Sequence, residues 1–277
     1  MPVTRFAPSP TGYLHLGHAY SALFAAAAAG PEGRCLLRLE DIDLSRCRPG
    51  FAAAILEDLA WLGLRWPEPV RRQSEHFGEY REALAQLDRR GLIYPCFCTR
   101  ADLLAEAARA GAAPHEAHPA YPGTCRVLSP ERRAAKLAEG LPHALRLDMP
   151  RAVAETGPLS WHDQALGRVE AAPERQGDVV LARKDCPTSY HLAVTLDDAR
   201  QGVELVTRAA DLVEATDIHR LLQALFGLPV PEYHHHPLLT DCDGRRLAKR
   251  DGAPSLRGLR EAGHLPAEVR AMAGWPN

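Results

Sequence analysis

The chain has 277 residues, 46% of them hydrophobic, and a formal net charge of -2 at pH 7. This length can bury a substantial core, as one large domain or two smaller ones. The near-neutral charge excludes binding to nucleic acid through net positive charge alone. Seven cysteines at uneven spacing argue against a disulfide framework and favour a reducing compartment.

The chain opens with a short apolar stretch that is interrupted by two prolines and a glycine. His15 and His18 then stand at the entry to an alanine-rich helix, which the pattern predicts over 19–29, with a stop at Gly30-Pro31. A strand-to-helix turn of this kind presents unpaired backbone amides, and the helix dipole favours negative charge there. These residues predict a phosphate-binding turn.

Strand and helix alternate in the segment that follows. The pattern predicts a buried strand over 34–41, a helix opened by Pro49, and a second helix that ends at 89–91. This alternation is typical of an α/β fold in which helices cover a parallel sheet. We interpret 94–176, with its cysteines and its Pro-, Gly- and His-rich stretches, as an insertion into that fold.

The alternation is predicted to resume after the insertion. Residues 178–183 and 203–206 are typical of strands, and 216–226 are typical of a helix. Near the end, residues 241–252 form a polar, strongly basic loop that carries Lys249, one of three lysines among the 33 basic residues. A lysine on such a loop suits a phosphate-like anionic transition state, although an exposed turn explains the loop equally well when it is taken alone.

Two motifs together point to a family. The His-Leu-Gly-His run at 15–18 and the Arg-Leu-Ala-Lys-Arg run at 246–250 resemble the two-part ATP-binding pattern of class I aminoacyl-tRNA synthetases. Residues 5–18 resemble the opening of glutamyl-tRNA synthetases. The similarity continues in order through 37–43 with Arg46, 58–64, 177–183, 190–193 with Asp197-Asp198, and 206–209. The sequence is identified as a member of this family, which implies an α/β fold with a Rossmann-like parallel sheet and ATP-dependent ligase activity.

The resemblance implies a pocket for L-glutamate. Its expected residues are Arg5, Phe6, Ala7, Pro8, Ser9, Glu40, Tyr190 and Arg208. Glutamate carries two carboxylates and one ammonium. The pocket offers two arginines, whose planar fork binds a carboxylate in two places, and one glutamate for the ammonium. The sequence does not specify which of the two arginines binds which carboxylate of glutamate.

The resemblance also assigns residues to ATP and to catalysis. They are His15, Gly17, His18 and Lys249, with Mg²⁺ accompanying the nucleotide. The histidines are expected at the phosphates and the lysine at the pentavalent phosphorus. The reaction needs no protein nucleophile, because the substrate carboxylate attacks the α-phosphorus of ATP and pyrophosphate leaves. Catalysis therefore rests on positioning and charge stabilisation.

Two regions depart from the family pattern. Arg246 and Ala248 stand where the family commonly has Lys and Ser, and Val194 stands where many glutamyl-tRNA synthetases have Asn. We expect the first difference to alter the flexibility or hydrogen bonding of the basic loop. We expect the second to remove one polar contact from the pocket and to weaken glutamate binding.

The predicted insertion contains a candidate zinc site. Cys96, Cys98 and Cys125 offer three thiolates, which suit structural zinc in a tetrahedral shell, although three free cysteines in a small core are the alternative. Candidates for the fourth ligand are Tyr121, His115 and His118. The resemblance to shorter relatives of the glutamyl enzymes, which use a Cys-x-Cys and Tyr-x-x-x-Cys arrangement, favours Tyr121.

The expectation for the acceptor of the glutamyl group depends on the length of sequence after the basic loop. It ends at Asn277, 27 residues past Arg250, whereas a full glutamyl-tRNA synthetase continues into an anticodon-binding domain. The chain thus resembles the truncated branch of the family that activates glutamate without tRNA and esterifies it to queuosine in the anticodon of tRNA(Asp). The alternatives are a minimal synthetase that charges a tRNA 3′ end, a glutamate activator for a protein or small molecule, and an inactive binding module.

We expect four segments along the chain. They are 1–93 and 177–240, the halves of a Rossmann-like catalytic domain; 94–176, an inserted acceptor-binding-like subdomain with the zinc site; and 241–277, the basic loop with a C-terminal helical segment. The first residues carry no signal-peptide pattern, and the apolar run 19–29 is too short to span a bilayer. We therefore expect a cytoplasmic monomer without a membrane partner.

Overall fold

The computed structural model describes residues 2–99, 101–102, 121–239 and 254–275. The helices are α1 (Leu16–Ala29), α2 (Pro49–Trp61), α3 (Phe77–Arg89), α4 (Pro130–Ala138), α5 (Met149–Thr156), α6 (Tyr190–Arg200), α7 (Val213–Phe226), α8 (Leu256–Glu261) and α9 (Pro266–Met272). The strands are β1 (Val3–Phe6), β2 (Arg34–Leu39), β3 (Arg71–Arg72), β4 (Ile93–Cys96), β5 (Ala144–Leu147), β6 (Ser160–Asp163), β7 (Gly167–Glu170), β8 (Val180–Ala182), β9 (Leu205–Ala209) and β10 (Glu232–His236). Among these ranges, no helix combines the length and the apolar character needed to cross a membrane.

The main sheet is built from parallel strands that are far apart in sequence. β1 pairs with β2 and β2 with β3, while β10 lies between β9 and β6, all in parallel register. The two groups adjoin at β1 and β9, where the backbone N–H of Glu204 donates to the Val3 carbonyl at 2.9 Å. At the edge, β7 pairs antiparallel with β6. The predicted α/β fold with a parallel sheet is confirmed.

A second sheet is antiparallel and crosses the predicted boundaries of the insertion. β4, β5 and β8 pair in that order. Residues 178–183 are predicted to resume the alternation of the parallel sheet, but β8 instead joins this antiparallel sheet. Conversely, β6 lies inside the predicted insertion 94–176 but joins β10 in the main sheet. Strands of three or four residues carry too little pattern to specify their partners, which long-range packing decides. The division into four segments stays a prediction.

Two helices begin earlier than their apolar pattern predicts. α1 begins at Leu16 rather than at residue 19, because the His15 side chain accepts from the backbone N–H of Gly17 at 3.1 Å and caps the helix. α7 begins at Val213 rather than at residue 216, and its last residue, Phe226, is followed by Gly227, whose φ of 63° lies in the left-handed region. The start of α1 is thus set by a local side-chain cap that apolar periodicity does not reveal, whereas the start of α7 has no side-chain cap.

The C-terminal helices pack on α2 and on the turn before α1. Leu256 of α8 and Val269 of α9 are buried in one core cluster with Leu14 and residues of α2. The N–H of Leu256 donates to the Leu14 carbonyl at 2.8 Å, and Ser255 forms a β-bridge with His15. α8 and α9 both lie within the expected C-terminal helical segment. This packing ties residues 254–256 to the turn that carries the histidines.

A buried carboxylate lies at the contact between α2 and α8. Neither carboxylate oxygen of Asp58 has a hydrogen-bond partner, and its ion pair with Nη1 of Arg260 is long, at 3.5 Å. Burial raises the pKa of Asp58 to about 6, and Arg260 offsets part of that effect. The native state therefore binds a proton at Asp58 more readily than the unfolded chain does.

We expect Asp58→Asn to remove a pH-dependent destabilisation. Because the native pKa lies above the unfolded value, wild type loses stability through this group as the pH rises from about 4 to about 6. The difference in unfolding free energy between the variant and wild type should therefore be about 1–3 kcal/mol more favourable to the variant at pH 7.5 than at pH 4. Urea unfolding of both proteins measures the difference, with Glu57→Gln as the control, since Glu57 pairs with the same arginine but is exposed. An equal difference at both pH values would contradict the prediction.

Candidate active site

The turn before α1 holds two histidine rings against its own backbone. The N–H of Gly17 donates to Nδ1 of His15 at 3.1 Å, and the N–H of His15 donates to Nδ1 of His18 at 3.2 Å. The ring centroids lie 3.8 Å apart, with the rings tilted by 42°. Because both Nδ1 atoms accept, each neutral imidazole carries its proton on Nε2, a donor of the kind that binds phosphate oxygens.

A cavity of about 110 Å³ lies beside these histidines, between the start of α1 and the end of β10. Its lining residues are His15, Gly17, His18, Tyr20, Ser21, Ala209, His236, Pro237, Leu238 and Leu239. The backbone amides and the dipole at the N-terminus of α1 favour an anion here. The three described residues that were predicted for ATP thus lie together at one cavity.

Lys249, the fourth residue predicted for ATP, lies outside the described residues, as does the rest of the basic loop. The described chain on either side of it reaches the histidine turn. Leu239 lines the small cavity, and Ser255 forms its β-bridge with His15. The role of Lys249 stays a prediction. The described residues before and after its loop, Leu239 and Ser255, both lie at the predicted ATP site.

A larger cavity of about 460 Å³ opens at the carboxyl ends of β1 and β9. Its lining residues are Arg5, Phe6, Ala7, Ser9, Ser21, Glu40, Tyr190, Thr207, Arg208, Ala209, Asp211 and Leu212. Ser21 and Ala209 line both cavities, so the two spaces are neighbours. The carboxyl ends of parallel strands are the usual position of ligands in open α/β sheets.

Seven of the eight residues predicted to bind glutamate line this larger cavity. The eighth, Pro8, acts through its backbone, because its carbonyl accepts from the N–H of Glu40 at 3.1 Å. Val194, where the family commonly has Asn, is buried on α6. The structure thus brings the predicted residues together, and their roles toward a ligand stay predictions.

A buried charge cluster holds Glu40 at the larger cavity. Asp198 on α6 accepts from Nε of Arg5 at 3.0 Å and from Nη1 of Arg38 at 2.7 Å. Arg38 is fully buried and donates through Nη2 to Glu40 at 3.2 Å. Arg5 also donates to the Thr207 carbonyl at 3.0 Å, which links β1 to β9. Two guanidinium groups and two carboxylates therefore balance one another in this cluster.

The pKa values of the cluster follow from burial and from pairing. Burial lowers the pKa of Arg38, but Asp198, Glu40 and Asp197 outweigh it, so the value lies above that of an ordinary arginine. Burial raises the pKa of Asp198, but the charges and hydrogen bonds of Arg5 and Arg38 lower it more. The pKa of this carboxyl therefore lies below its usual value. Burial raises the pKa of Glu40, and the two arginines offset only part of that rise. An ammonium group beside Glu40 would favour its ionised form.

Asp197, next to Asp198 on α6, ties this helix to β3 and α3. Its carboxylate accepts at 2.9 Å from each of three side chains, those of Arg71, Gln73 and Tyr80. The Asp-Asp pair therefore has two structural tasks: one carboxylate fastens α6, and the other positions Arg5. Arg38 is not predicted from its motif, although a charged residue between leucines of a buried strand is a signal that could have revealed it.

Arg208, the second arginine at the larger cavity, has neutral hydrogen-bond partners. Its Nε donates to Nε2 of His235 at 3.2 Å, and its Nη1 donates to Nδ1 of His219 at 3.0 Å. Nη2 donates to the Thr216 hydroxyl, and Nη1 also donates to the Tyr190 hydroxyl at 3.4 Å. Within the described ranges, this buried guanidinium forms no ion pair with a carboxylate. A buried cation of this kind is costly unless a ligand supplies the counter-charge.

Three sulfur atoms converge at a separate site near β4. The Sγ atoms of Cys96, Cys98 and Cys125 all lie within 4.8 Å of one another. The Tyr121 hydroxyl lies 3.4 Å from Sγ of Cys96 and 3.5 Å from Sγ of Cys98. Sulfur atoms at about 2.3 Å from a tetrahedral zinc ion lie about 3.8 Å apart, so the cluster could hold a metal ion. The alternative fourth ligands lie outside the described residues: His115 and His118.

Comparison with known proteins places this geometry in a family. Residues 2–273 match the family model described as tRNA synthetases class I (E and Q), catalytic domain. The chain is 50% identical to the glutamyl-Q tRNA(Asp) synthetase of Rhodobacter capsulatus, over 98% of this chain and 99% of that protein. It is 45% identical to the protein of the same name from Symbiobacterium thermophilum, over 96% of this chain and 83% of that protein.

A solved structure shows the same fold. The glutamate tRNA ligase of Elizabethkingia meningosepticum, crystallised in complex with its amino acid, superposes with a TM-score of 0.82 at 28% identity. The superposition covers 98% of this chain and 60% of that chain. The chain therefore belongs to the glutamyl- and glutaminyl-type class I aminoacyl-tRNA synthetases, a family of ATP-dependent ligases, and within it groups with the proteins named glutamyl-Q tRNA(Asp) synthetase.

Proposed function

We propose that the protein activates L-glutamate with ATP, without tRNA, and transfers the glutamyl group to queuosine in the anticodon of tRNA(Asp). Support for the acceptor comes from the 50% identity to a relative named glutamyl-Q tRNA(Asp) synthetase, over nearly the full length of both proteins. Support for the activation step comes from the residues at the two neighbouring cavities.

The observation that carries the activation step is the charge pattern of the larger cavity. Arg5 is paired with Asp198, whereas Arg208 donates to neutral groups and lacks a described counter-ion. Glu40 presents a carboxylate to the same cavity. An amino acid with two carboxylates and one ammonium complements two guanidinium groups and one carboxylate, and the planar fork of arginine suits carboxylates. L-Glutamate is the amino acid of that description that the family implies.

The first chemical step needs a carboxylate and a phosphate in adjacent spaces. An oxygen of the glutamate α-carboxylate attacks the α-phosphorus of ATP, a new P–O bond forms, the bond to the bridging oxygen breaks, and pyrophosphate leaves. Ser21 and Ala209 line both cavities, so a carboxylate in the larger one can approach a phosphate at the smaller one. The Nε2 protons of His15 and His18 donate to phosphate oxygens and stabilise the charge that develops there.

Lys249 is proposed to stabilise the pentavalent phosphorus, and Mg²⁺ is proposed to accompany the ATP phosphates, where it neutralises charge. Both flanks of the lysine segment reach the histidine turn, which supports this role. In the second step a hydroxyl group of the acceptor attacks the acyl carbon of the glutamyl-adenylate. The ester bond forms, AMP leaves, and the hydroxyl proton passes to the departing phosphate.

The acceptor is tested by offering labelled glutamate and ATP to two RNAs. One is an anticodon hairpin of tRNA(Asp) that carries queuosine, and the other is an acceptor-stem hairpin with a free 3′ end. We expect label on the anticodon hairpin alone. The matched control is the same anticodon hairpin with guanosine in place of queuosine, which should stay unlabelled.

Three results would redirect the proposal. Label on the acceptor stem alone would favour a minimal synthetase that charges a tRNA 3′ end. Absence of glutamate-dependent pyrophosphate exchange into ATP, measured without tRNA, would favour an inactive binding module. Exchange without transfer to either RNA would favour a glutamate activator for another acceptor.

We further propose that the cysteine cluster holds one structural zinc ion. Cys96, Cys98 and Cys125 supply thiolates, and the Tyr121 hydroxyl lies where a fourth ligand would close the shell. The Arg146 guanidinium stacks over the Tyr121 ring at 3.9 Å from its centroid and helps to fix it. Thiolate ligands and a closed shell are typical of structural zinc, which would stabilise the fold around β4.

We expect Cys125→Ser to reduce bound zinc from about one ion per chain to nearly none, because the proposed shell would keep only two thiolates and the Tyr121 hydroxyl, and a serine hydroxyl is a poor substitute for a thiolate ligand. The melting temperature should fall in parallel, since metal binding is coupled to folding. Elemental analysis of the purified proteins measures the zinc, and Cys186→Ser is the matched control, because this buried thiol donates to the Ile42 carbonyl away from the cluster. Equal zinc in wild type and Cys125→Ser would remove Cys125 from the site.

A further inference from the structure

Two imidazoles flank the Arg208 guanidinium, and both must present a lone pair to it. His235 accepts from Nε at 3.2 Å through its Nε2, and His219 accepts from Nη1 at 3.0 Å through its Nδ1. Arginine is a donor at every nitrogen and cannot accept a hydrogen bond. Each ring is therefore neutral, with the facing nitrogen unprotonated. Both side chains are buried, at 3% exposed for His219 and 6% for His235.

The far side of each ring is also fixed. Nδ1 of His235 lies 2.6 Å from Oδ2 of Asp163, so the ring proton lies on Nδ1 and Nε2 is left as the acceptor. Asp163 is itself held by the backbone N–H groups of Ala165 and Leu166 at 2.8 and 3.0 Å. Nε2 of His219 lies 3.2 Å from Nδ1 of His191, to which it donates. The chain of contacts runs from Asp163 on β6, through β10, β9 and α7, to α6.

The surroundings of the rings favour the neutral state. Burial lowers the pKa of His219 well below its usual value, and Arg208, His191, Arg5 and His235 lower it further. Burial and then Arg208 lower the pKa of His191 to about 4. The pKa of His235 is lowered as well, because burial and Arg208 outweigh the opposite effect of Asp163. The ring hydrogen bonds that orient Arg208 therefore persist across the neutral pH range.

We propose that His219 and His235 are positioning residues that hold the guanidinium fork of Arg208 toward the larger cavity. This inference rests on the proposed function, in which Arg208 binds a carboxylate of glutamate. Because the two neutral imidazoles accept from Nε and Nη1, they restrict the rotation of the guanidinium without neutralising its charge. A carboxylate partner would fix the group equally well but would cancel the charge that the substrate needs.

The test replaces one imidazole by side chains that keep or lose the acceptor. In His219→Asn, the amide oxygen occupies approximately the position of Nδ1, whereas His219→Leu has a similar volume and no acceptor. In His219→Leu the facing N–H of Arg208 is left buried and unpaired. We expect the KM for glutamate in pyrophosphate exchange to rise about tenfold, with the KM for ATP unchanged. His219→Asn should stay within about threefold of wild type.

Two further sets of variants test the same inference independently of His219. His235→Gln and His235→Met repeat the comparison, because the amide oxygen of Gln reaches the position of Nε2 and the thioether of Met does not serve as a comparable acceptor. This pair answers the question if His219→Leu does not fold. Arg208→Lys tests the pocket itself: an unchanged KM for glutamate in that variant would overturn the proposed function.

The outcomes separate the two claims. A raised glutamate KM in His219→Leu, restored by His219→Asn, supports the positioning role. If Arg208→Lys impairs glutamate binding while His219→Leu and His235→Met do not, the positioning role is wrong and the pocket stands. If the Leu and Asn variants are equally impaired and the KM for ATP rises with the KM for glutamate, the histidines serve general packing and the inference is also overturned.

Discussion

Arg208→Lys should lower kcat/KM for L-glutamate in pyrophosphate exchange about a hundredfold, with the KM for ATP unchanged. Lysine keeps the positive charge but lacks the planar fork, so it cannot bind a carboxylate in two places while it also donates to His219 and His235. Loss of one partner of a buried, hydrogen-bonded charge pair costs about 2–5 kcal/mol, and each 1.4 kcal/mol corresponds to about a factor of ten.

Arg220→Lys is the matched control for this substitution. Arg220 lies on α7, donates to the Ser160 carbonyl at 2.9 Å and is absent from the lining of both cavities. It should keep kcat/KM close to wild type. Glutamine has the α-carboxylate of glutamate but no side-chain carboxylate, so the ratio of kcat/KM for glutamate to kcat/KM for glutamine shows which carboxylate Arg208 binds. A lower ratio in Arg208→Lys than in wild type assigns Arg208 to the side-chain carboxylate. An unchanged ratio assigns it to the α-carboxylate. An unchanged kcat/KM for glutamate would contradict the proposed pocket.

The residues at the cavities could be predicted because their motifs are short, contiguous and chemically distinctive. The stretch 5–9 covers the end of β1 and the residues that follow it, and the turn 15–18 covers the start of α1; both line cavities at the carboxyl edge of the sheet. The charge cluster behind them could not be predicted in the same way. Arg38 and Asp198 are 160 residues apart, and their pairing depends on how α6 packs beside β2. Local pattern reveals which residues face a ligand, whereas the groups that hold them require the tertiary structure.

The fold class could be predicted from alternation, but the partners of short strands could not. β8 follows the predicted position closely and nevertheless pairs antiparallel with β5. Its three residues form a pattern that fits a parallel or an antiparallel neighbour, so the choice depends on contacts with β4 and β5 rather than on the strand itself. The same limit explains why β6, inside the predicted insertion, joins the main sheet.

The two arginines at the larger cavity differ in their electrostatic surroundings. Arg5 shares Asp198 with Arg38, so part of its charge is already neutralised by the protein. Arg208 is held by imidazoles, a hydroxyl and a phenol, which orient it without opposing its charge. Arg208 should therefore contribute more to the attraction of an anionic group than Arg5, while Arg5 also joins β1 to β9 through Thr207.

Glu40→Gln should lower kcat/KM for L-glutamate by about a hundredfold, because glutamine keeps the shape of the side chain but cannot pair with the substrate ammonium. The substitution also leaves Arg38 without one of its two closest carboxylates. The pKa of Glu40 lies above its usual value, chiefly because of burial. In wild type, glutamate binding should therefore weaken as the pH falls through that pKa and the carboxylate becomes protonated. The variant should lack this pH dependence.

Glutarate separates an ammonium contact from a general loss of the pocket, since it carries both carboxylates of glutamate and no ammonium. Glu40→Gln should raise the KM for glutamate and leave the inhibition constant of glutarate nearly unchanged, whereas Arg208→Lys should weaken both ligands. Glu79→Gln is the matched control, because it removes an ion pair with Arg71 at 2.6 Å that lies outside both cavities. If Glu40→Gln weakens glutarate as much as glutamate, Glu40 serves the cluster of Arg38 and Asp198 rather than the ammonium. The proposed division of charge in the pocket would then be wrong.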